Sequence, residues 1–362
     1  MNPSLILFGA CDRHNLGDLL FPHIAAALLV PREIVVAGLA ARDLTAFGGH
    51  RVRAIGELEQ EMPGAAVIHV GGELLACDAW EAAVMLLPPE EAPGVIAHLD
   101  GTPQRFAWAR RYLGRDDRAP YCLGKSQSRQ YGARIFCGVG GVDLDRRNAA
   151  LREEVLAKLR EADWIGVRDR ATRGILAQAG IAAHLVPDPA VLTAELFGER
   201  IRGCALGGEP AEALRAFPRG YIAVQFAAEF GDDATLSRIA EGLDALCGET
   251  GCGVALFRAG AAPWHDDLAC YRAVAARLRA AAHIFESPDI WDICALIAGA
   301  RAFCGSSLHG RIVAQAFGVP VREGAFPIGA KTAAYRATWA GCEAGAACRT
   351  TFAEWRALLT QA

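Results

Sequence analysis

The sequence predicts an α/β chain of two Rossmann-like domains facing each other across a cleft, on three observations. Short apolar runs alternate with helical patterns, the alternation breaks off and restarts near residue 221, and 362 residues exceed what one hydrophobic core usually organises. With 52% hydrophobic and 22% charged residues and no low-complexity tract, the chain can bury two such cores.

Strand-like runs lie at Ser4 to Ala10, Glu33 to Ala40, Ala65 to Gly72, Ala133 to Gly141, Trp164 to Asp169 and Ala182 to Pro189, with helical periodicity from Asn148 to Ala162. Such near-continuous apolar strands suit a parallel sheet covered on both faces. Between Leu87 and Ser128 the rhythm fails among prolines, arginines and Asp100-Gly101, which predicts a long excursion on the carboxyl side of the sheet. Residues 1–200 therefore form an N-terminal domain, and the glycine- and proline-bearing stretch 201–220 a linker.

The second domain, 221–330, restarts with a strand at Tyr221 to Ala227 and a helix within Asp233 to Thr250. A strand at Val254 to Gly260, a helix from His265 to Ala282 and a strand at His283 to Ser287 follow. A helix at Ile290 to Ala300, a strand at Arg301 to Ser306 and a helix at Leu308 to Phe317 complete it, before a helical segment at 331–362. Two such sheets make the GT-B-like plan, with ligands at the carboxyl ends of the strands.

A net charge of -4 supplies no general attraction for nucleic acid or anionic lipid, so any anion site must be local. The twelve cysteines are scattered through apolar segments without C-x-x-C spacing, which predicts reduced core thiols and no metal site. The start reads as a first strand and not as a signal peptide, and no segment is apolar for the roughly 20 residues of a membrane span; a cytoplasmic location is expected.

Three strand-to-helix junctions concentrate polar groups. At 305–320, Ser306 and Ser307 precede a helix starting at Leu308, so a serine cap, free backbone N–H groups and the helix dipole suit an anion, with His309 in the first turn. At 164–180, Arg168 ends a strand, where it can clamp a carboxylate or phosphate or pair with Asp169 or Asp188. At 9–29, Asn15 and Asp18 can hold an acceptor hydroxyl or cap the helix, while Gly71 and Gly72 allow close backbone approach after the third strand. The run His265, Asp266, Asp267 resembles a metal cluster only on paper, since consecutive helical residues point apart; a capping role fits better.

In this order, Asn15-x-Gly17-Asp18, Gly71-Gly72, Val167-Arg168-Asp169, Asp188-Pro189 and the SLHG-x-I-x-A-x-x-F-G-x-P block at 307–320 resemble the polysaccharide pyruvyltransferases over about residues 5 to 325. The resemblance implies transfer of pyruvate from phosphoenolpyruvate onto two hydroxyls of a saccharide or lipid-linked saccharide as a cyclic ketal, with no cofactor. It implies His309 as acid or phosphate contact and Asp18 as base. Arg168, Ser306, Ser307, Leu308, Asn15, Gly71 and Gly72 would bind substrate. Ser307 departs from the family's S-x-R-L-H pattern, so a donor anion would need Arg311, Arg258 or an arginine from 105–134. The alternatives are a GT-B glycosyltransferase using a nucleotide sugar, with Glu286 as ribose contact, and a family member with another donor or no catalysis.

Overall fold

The structure, a computed structural model, describes residues 5–125, 130–323, 328–340, 347 and 349–353. Ser4 of the first expected strand, residues 126–129 of the excursion, and 341–346, 348 and 354–362 of the C-terminal segment lie outside the described residues. The chain forms two compact units, one of Met1–Thr45, Gly49–Pro189 and Ala333–Ala362, the other of Ala46–Gly48 and Ala190–Thr332.

The first unit runs β1 (Leu5–Phe8), α1 (Leu16–Leu29), β2 (Ile34–Gly38), β3 (Arg42–Asp43), β4 (Arg51–Ala54), α2 (Ile55–Glu61), β5 (Ala66–Val70) and α3 (Ala79–Met85). It continues with α4 (Ala92–Leu99), α5 (Gln104–Leu113), β6 (Arg134–Val139), α6 (Ala149–Arg160), β7 (Trp164–Val167), α7 (Arg170–Gln178) and β8 (His184–Leu185). The eight strands stand in the order β3-β4-β2-β1-β5-β6-β7-β8, parallel throughout except between β3 and β4. From β1 the chain winds to one side and then crosses back to β5 on the other, so the carboxyl ends of β1 and β5 flank a topological switch point. β1, β5 and β6 are buried along their whole length, as strands covered on both faces must be.

The excursion is not irregular: it holds α4 and α5, which pack on α3 with Trp108 edge-on to Trp80 at 5.5 Å. Arg105, Arg110 and Arg111 dilute the apolar period of α5, which hides the helix from a pattern reading. Its return is pinned by buried polar groups. Leu123 donates its N–H to His69 Nε2 at 3.1 Å while His69 Nδ1 lies 3.1 Å from Ile135 O, so the proton sits on Nδ1, and burial pushes the imidazole down to about 3. Lys158, 1% exposed, donates to Asp117, Glu154 and Ala119 O.

The second unit holds α8 (Thr193–Cys204), α9 (Gly208–Ala216), β9 (Tyr221–Gln225), α10 (Asp233–Thr250), β10 (Gly253–Phe257) and α11 (Leu268–Ala275). After them come β11 (Ala282–Phe285), α12 (Ile290–Ala298), β12 (Ala302–Gly305), α13 (Leu308–Ala316) and β13 (Val321–Arg322). The sheet is parallel in the order β11-β10-β9-β12-β13, with its switch point between β9 and β12. Residues 201–220, expected as a linker, instead carry the end of α8 and all of α9 within this unit. Helix α11 is shorter than its pattern: Asp267 caps its start, and past its end Arg277 and Arg279 pair with Asp233 and Asp244. A last helix, α14 (Ala330–Trp339), lies from Ala333 onward within the first unit, where Trp339 Nε1 donates to Arg168 O at 2.8 Å and Arg170 N donates to Thr338 Oγ1 at 3.0 Å.

Candidate active site

Both switch points carry the residues the sequence singles out, and they are built differently. In the second unit, Ser307 caps α13 through a bond from Gly310 N at 3.1 Å, which puts half-buried His309 in the first turn at the carboxyl edge of β12. Ser306 accepts from Ala227 N on its hydroxyl at 3.2 Å, so it ties the β12 loop to the β9 loop. The expected cradle of free amides from Ser306 to His309 is narrower than its sequence suggests. Ser306 N donates to Gln225 O at 3.2 Å and Ser307 N to Gln225 Oε1 at 2.8 Å, so neither serine amide is available to an anion.

Gln225, absent from the motif reading, and Asp266, expected there as a helix cap, organise this edge. Gln225 Nε2 donates to Asp266 Oδ1 at 2.8 Å, and Asp266 Oδ2 accepts from Ala259 N at 2.6 Å and Gly260 N at 3.3 Å. A carboxylate only accepts, so it fixes the Gln225 amide with Oε1 toward Ser307 and joins the loops after β9, β10 and β12. Burial raises the Asp266 carboxyl to about 6. Asp267, not Asp266, caps α11, through Ala269 N at 2.7 Å.

Arg311, Arg258 and the arginines of 105–134 were the candidates for the donor anion. Arg311, 4% exposed, pairs with Glu323 at 3.2 Å. In the 105–134 stretch, Arg105, Arg110 and Arg115 pair with Asp100, Asp116 and Asp117. Arg258, half-buried on the loop held by Asp266, makes no ion pair or hydrogen bond among the described residues. Glu286, the candidate ribose contact, pairs on the surface with Arg272 at 2.9 Å.

In the first unit Arg168 is not a free clamp. Its guanidinium, 2% exposed, gives Nη1 to Asp188 at 3.0 Å and Nη2 to Glu73 at 2.6 Å, which together hold it charged. What it presents is Glu73, a residue the motif reading passed over, whose other oxygen accepts from Val142 N at 2.7 Å. Asn15 caps α1 by accepting from Gly17 N and Asp18 N at 3.2 and 3.4 Å. Gly71 and Gly72 both have left-handed φ, 63° and 81°; a Cβ on Gly71 would strike the Phe21 ring at 2.5 Å. Asp18 lies 3.7 Å from Arg13.

Among the described residues no group of three or more His, Cys, Asp or Glu is placed to hold a metal, and no helix is long and apolar enough to cross a membrane. The ten described cysteines form no disulfide, and burial pushes Cys77 and Cys122 up to about 12; Cys342 and Cys348 lie outside the described residues. A cavity of about 720 Å³ opens at the amino ends of β9 and β10, away from the strand ends that carry these residues.

Two sheets of mostly parallel strands, each with a switch point, make a GT-B-like α/β fold, and solved structures share it. UDP-N-acetylglucosamine 2-epimerase from Rickettsia bellii matches with a TM-score of 0.52 at 10% identity over 99% of this chain and 97% of that one. The UDP-GlcNAc 2-epimerase from Methanocaldococcus jannaschii matches at 0.51 and 12% over 88% and 82%. The S. aureus MnaA-UDP co-structure matches at 0.50 and 13% over 89% and 79%. A search of curated protein sequences finds no match. The polysaccharide pyruvyl transferase family model matches residues 129–322, more than half of the chain, and the chain belongs to that family. The matched region contains Arg168, Asp188 and the 306–309 junction; the Asn15–Asp18 and Gly71-Gly72 motifs precede it.

Proposed function

We propose that this enzyme transfers pyruvate from phosphoenolpyruvate to a saccharide or lipid-linked saccharide as a cyclic ketal, in the cytoplasm, for cell-surface or exopolysaccharide synthesis. The observation that carries the reading is His309, held in the first turn of α13 at a switch point in a chain of the pyruvyl transferase family. His309 protonates the methylene carbon of the donor, a saccharide hydroxyl bonds to the central carbon, phosphate leaves with the C–O electron pair, and a second hydroxyl closes the ketal. The proton of the first hydroxyl goes to Asp18, and that of the second returns to His309, which the first step leaves neutral.

The donor's negative charge would lie at the positive end of α13, where the helix dipole favours an anion. Arg258 supports this as the donor-anion contact, with Asp266 and Gln225 fixing its loop beside α13. Arg168 serves as a positioning residue that aims Glu73. Incubation with phosphoenolpyruvate and a panel of oligosaccharides should release phosphate only when both are present and give a pyruvylated product by mass; release without saccharide, or none with any saccharide, counts against the reading.

A further inference from the structure

We propose that Arg13 and Asp18 form a binding site for a neutral polyhydroxylated ligand, a sugar ring, at the switch point of the eight-stranded sheet. Arg13 follows β1, and its Nε lies 3.7 Å from Asp18 Oδ2 in the first turn of α1. Both side chains are about nine-tenths buried, with 10% and 9% exposure. Yet 3.7 Å is too long for a hydrogen bond, and the Nε and Nη1 atoms of Arg13 are buried with no hydrogen-bond acceptor among the described residues. A guanidinium taken out of water without acceptors is costly, and such a group in a native fold calls for an explanation.

The neighbouring charges select the ligand. The Arg13 guanidinium lies over the Tyr121 ring at 5.4 Å, and Tyr121 OH donates to Asp12 Oδ1 at 2.9 Å. With Asp12 ionised, Arg13, Asp12 and Asp18 carry one excess negative charge; with Asp12 protonated they are neutral. Neither state attracts a phosphate or carboxylate. A hydroxyl is donor and acceptor at once: it accepts from Arg13 and donates to Asp18, which answers both groups with no added charge. Gly72 brings its backbone close to the pair, and a Cβ there would stand 3.3 Å from Asp18 Oδ1 and 3.2 Å from Leu74. Asn15 fixes the frame, its side-chain oxygen being committed to the α1 amides.

The inference rests on the pyruvyl-transfer reading only in naming the bound sugar as the acceptor. Saturation-transfer NMR and titration of the intact protein with methyl glucopyranoside, galactopyranoside and mannopyranoside, set against glucuronate and glucose 6-phosphate, test it. At least one neutral glycoside should bind and the anionic sugars should bind more weakly. Arg13→Met should weaken the neutral glycoside by about tenfold or more, with Arg13→Lys in between. Because Arg13 makes no hydrogen bond to the described residues, Arg13→Met should melt within a few degrees of wild type. Binding confined to the anionic sugars, unchanged binding to Arg13→Met, or no binding of any neutral glycoside to wild type would overturn the site. Glycoside binding lost with Arg13, in an enzyme that releases no phosphate from phosphoenolpyruvate, would instead keep the site and discard the pyruvyl-transfer reading.

Discussion

The two switch points share a topology and differ in how their polar groups are satisfied. In the five-stranded sheet, Gln225, Asp266, Ser306 and Ser307 bond to one another and to three loops, so the edge that carries His309 is fixed by the protein itself. In the eight-stranded sheet, Arg168 and Glu73 are likewise locked, but Arg13 and Asp18 are brought together without a hydrogen bond between them. The contrast separates a pre-organised edge suited to chemistry from a pair whose hydrogen bonds await a ligand.

The sharpest break of that contrast is at Arg168. Arg168→Met should cost about 3–5 kcal/mol of stability, since it leaves Asp188, which is fully buried, and Glu73 without their cation. Chemical denaturation measures it, and a loss near zero would free Arg168 for a substrate role. His309→Ala should do the opposite, lowering turnover about 100-fold while the melting temperature stays close to wild type. A stability loss with turnover per folded molecule intact would make His309 a packing residue.

Acidification should move the two units in opposite directions. His69 has a folded pKa of about 3, below its unfolded value, so its stabilising contribution is whole above about pH 6.5 and is lost as pH falls toward 3. Asp266, at about 6, lies above its unfolded value; its contribution is whole below about pH 4 and is lost as pH rises through 6. From pH 7 to 5 the first should lose about 2 kcal/mol and the second gain about 1 kcal/mol. Hydrogen exchange, corrected for the intrinsic rate, should show protection falling at Leu123 and rising at Ala259 and Gly260, whose N–H groups these side chains hold. Protection falling at both would remove Asp266 from the comparison. The smallest effect is Asp266→Asn, which turns an acceptor into a donor facing Gln225 and should raise the donor KM several-fold while leaving the acceptor KM unchanged.

The parallel strands and the helices that follow them are legible in the sequence because a strand buried on both faces is a continuous apolar run, as in Leu5–Phe8 or Ala66–Val70. The helices α4, α5 and α9 are not, because arginine, proline and glycine interrupt an apolar period that only their packing partners complete. Ser307 and Asn15 are recognisable as caps from position alone. Gln225, Asp266, Glu73 and Arg13 are not, since each acts through a group far away in the chain or, for Asp266, through a turn whose shape the residues do not announce. Arg168 shows the limit most plainly: its place at a strand end is readable, but only the fold reveals that Asp188 and Glu73 take up its guanidinium.

Pyruvyl transfer itself is tested most directly by running the reaction with phosphoenolpyruvate and saccharide in D₂O and reading the product by NMR and mass. Protonation of the methylene carbon during transfer predicts a ketal whose new methyl group carries one solvent deuterium, formed in step with phosphate, and greatly slowed in His309→Ala. A saccharide recovered without a ketal, or a ketal formed at the wild-type rate by His309→Ala, would contradict the account.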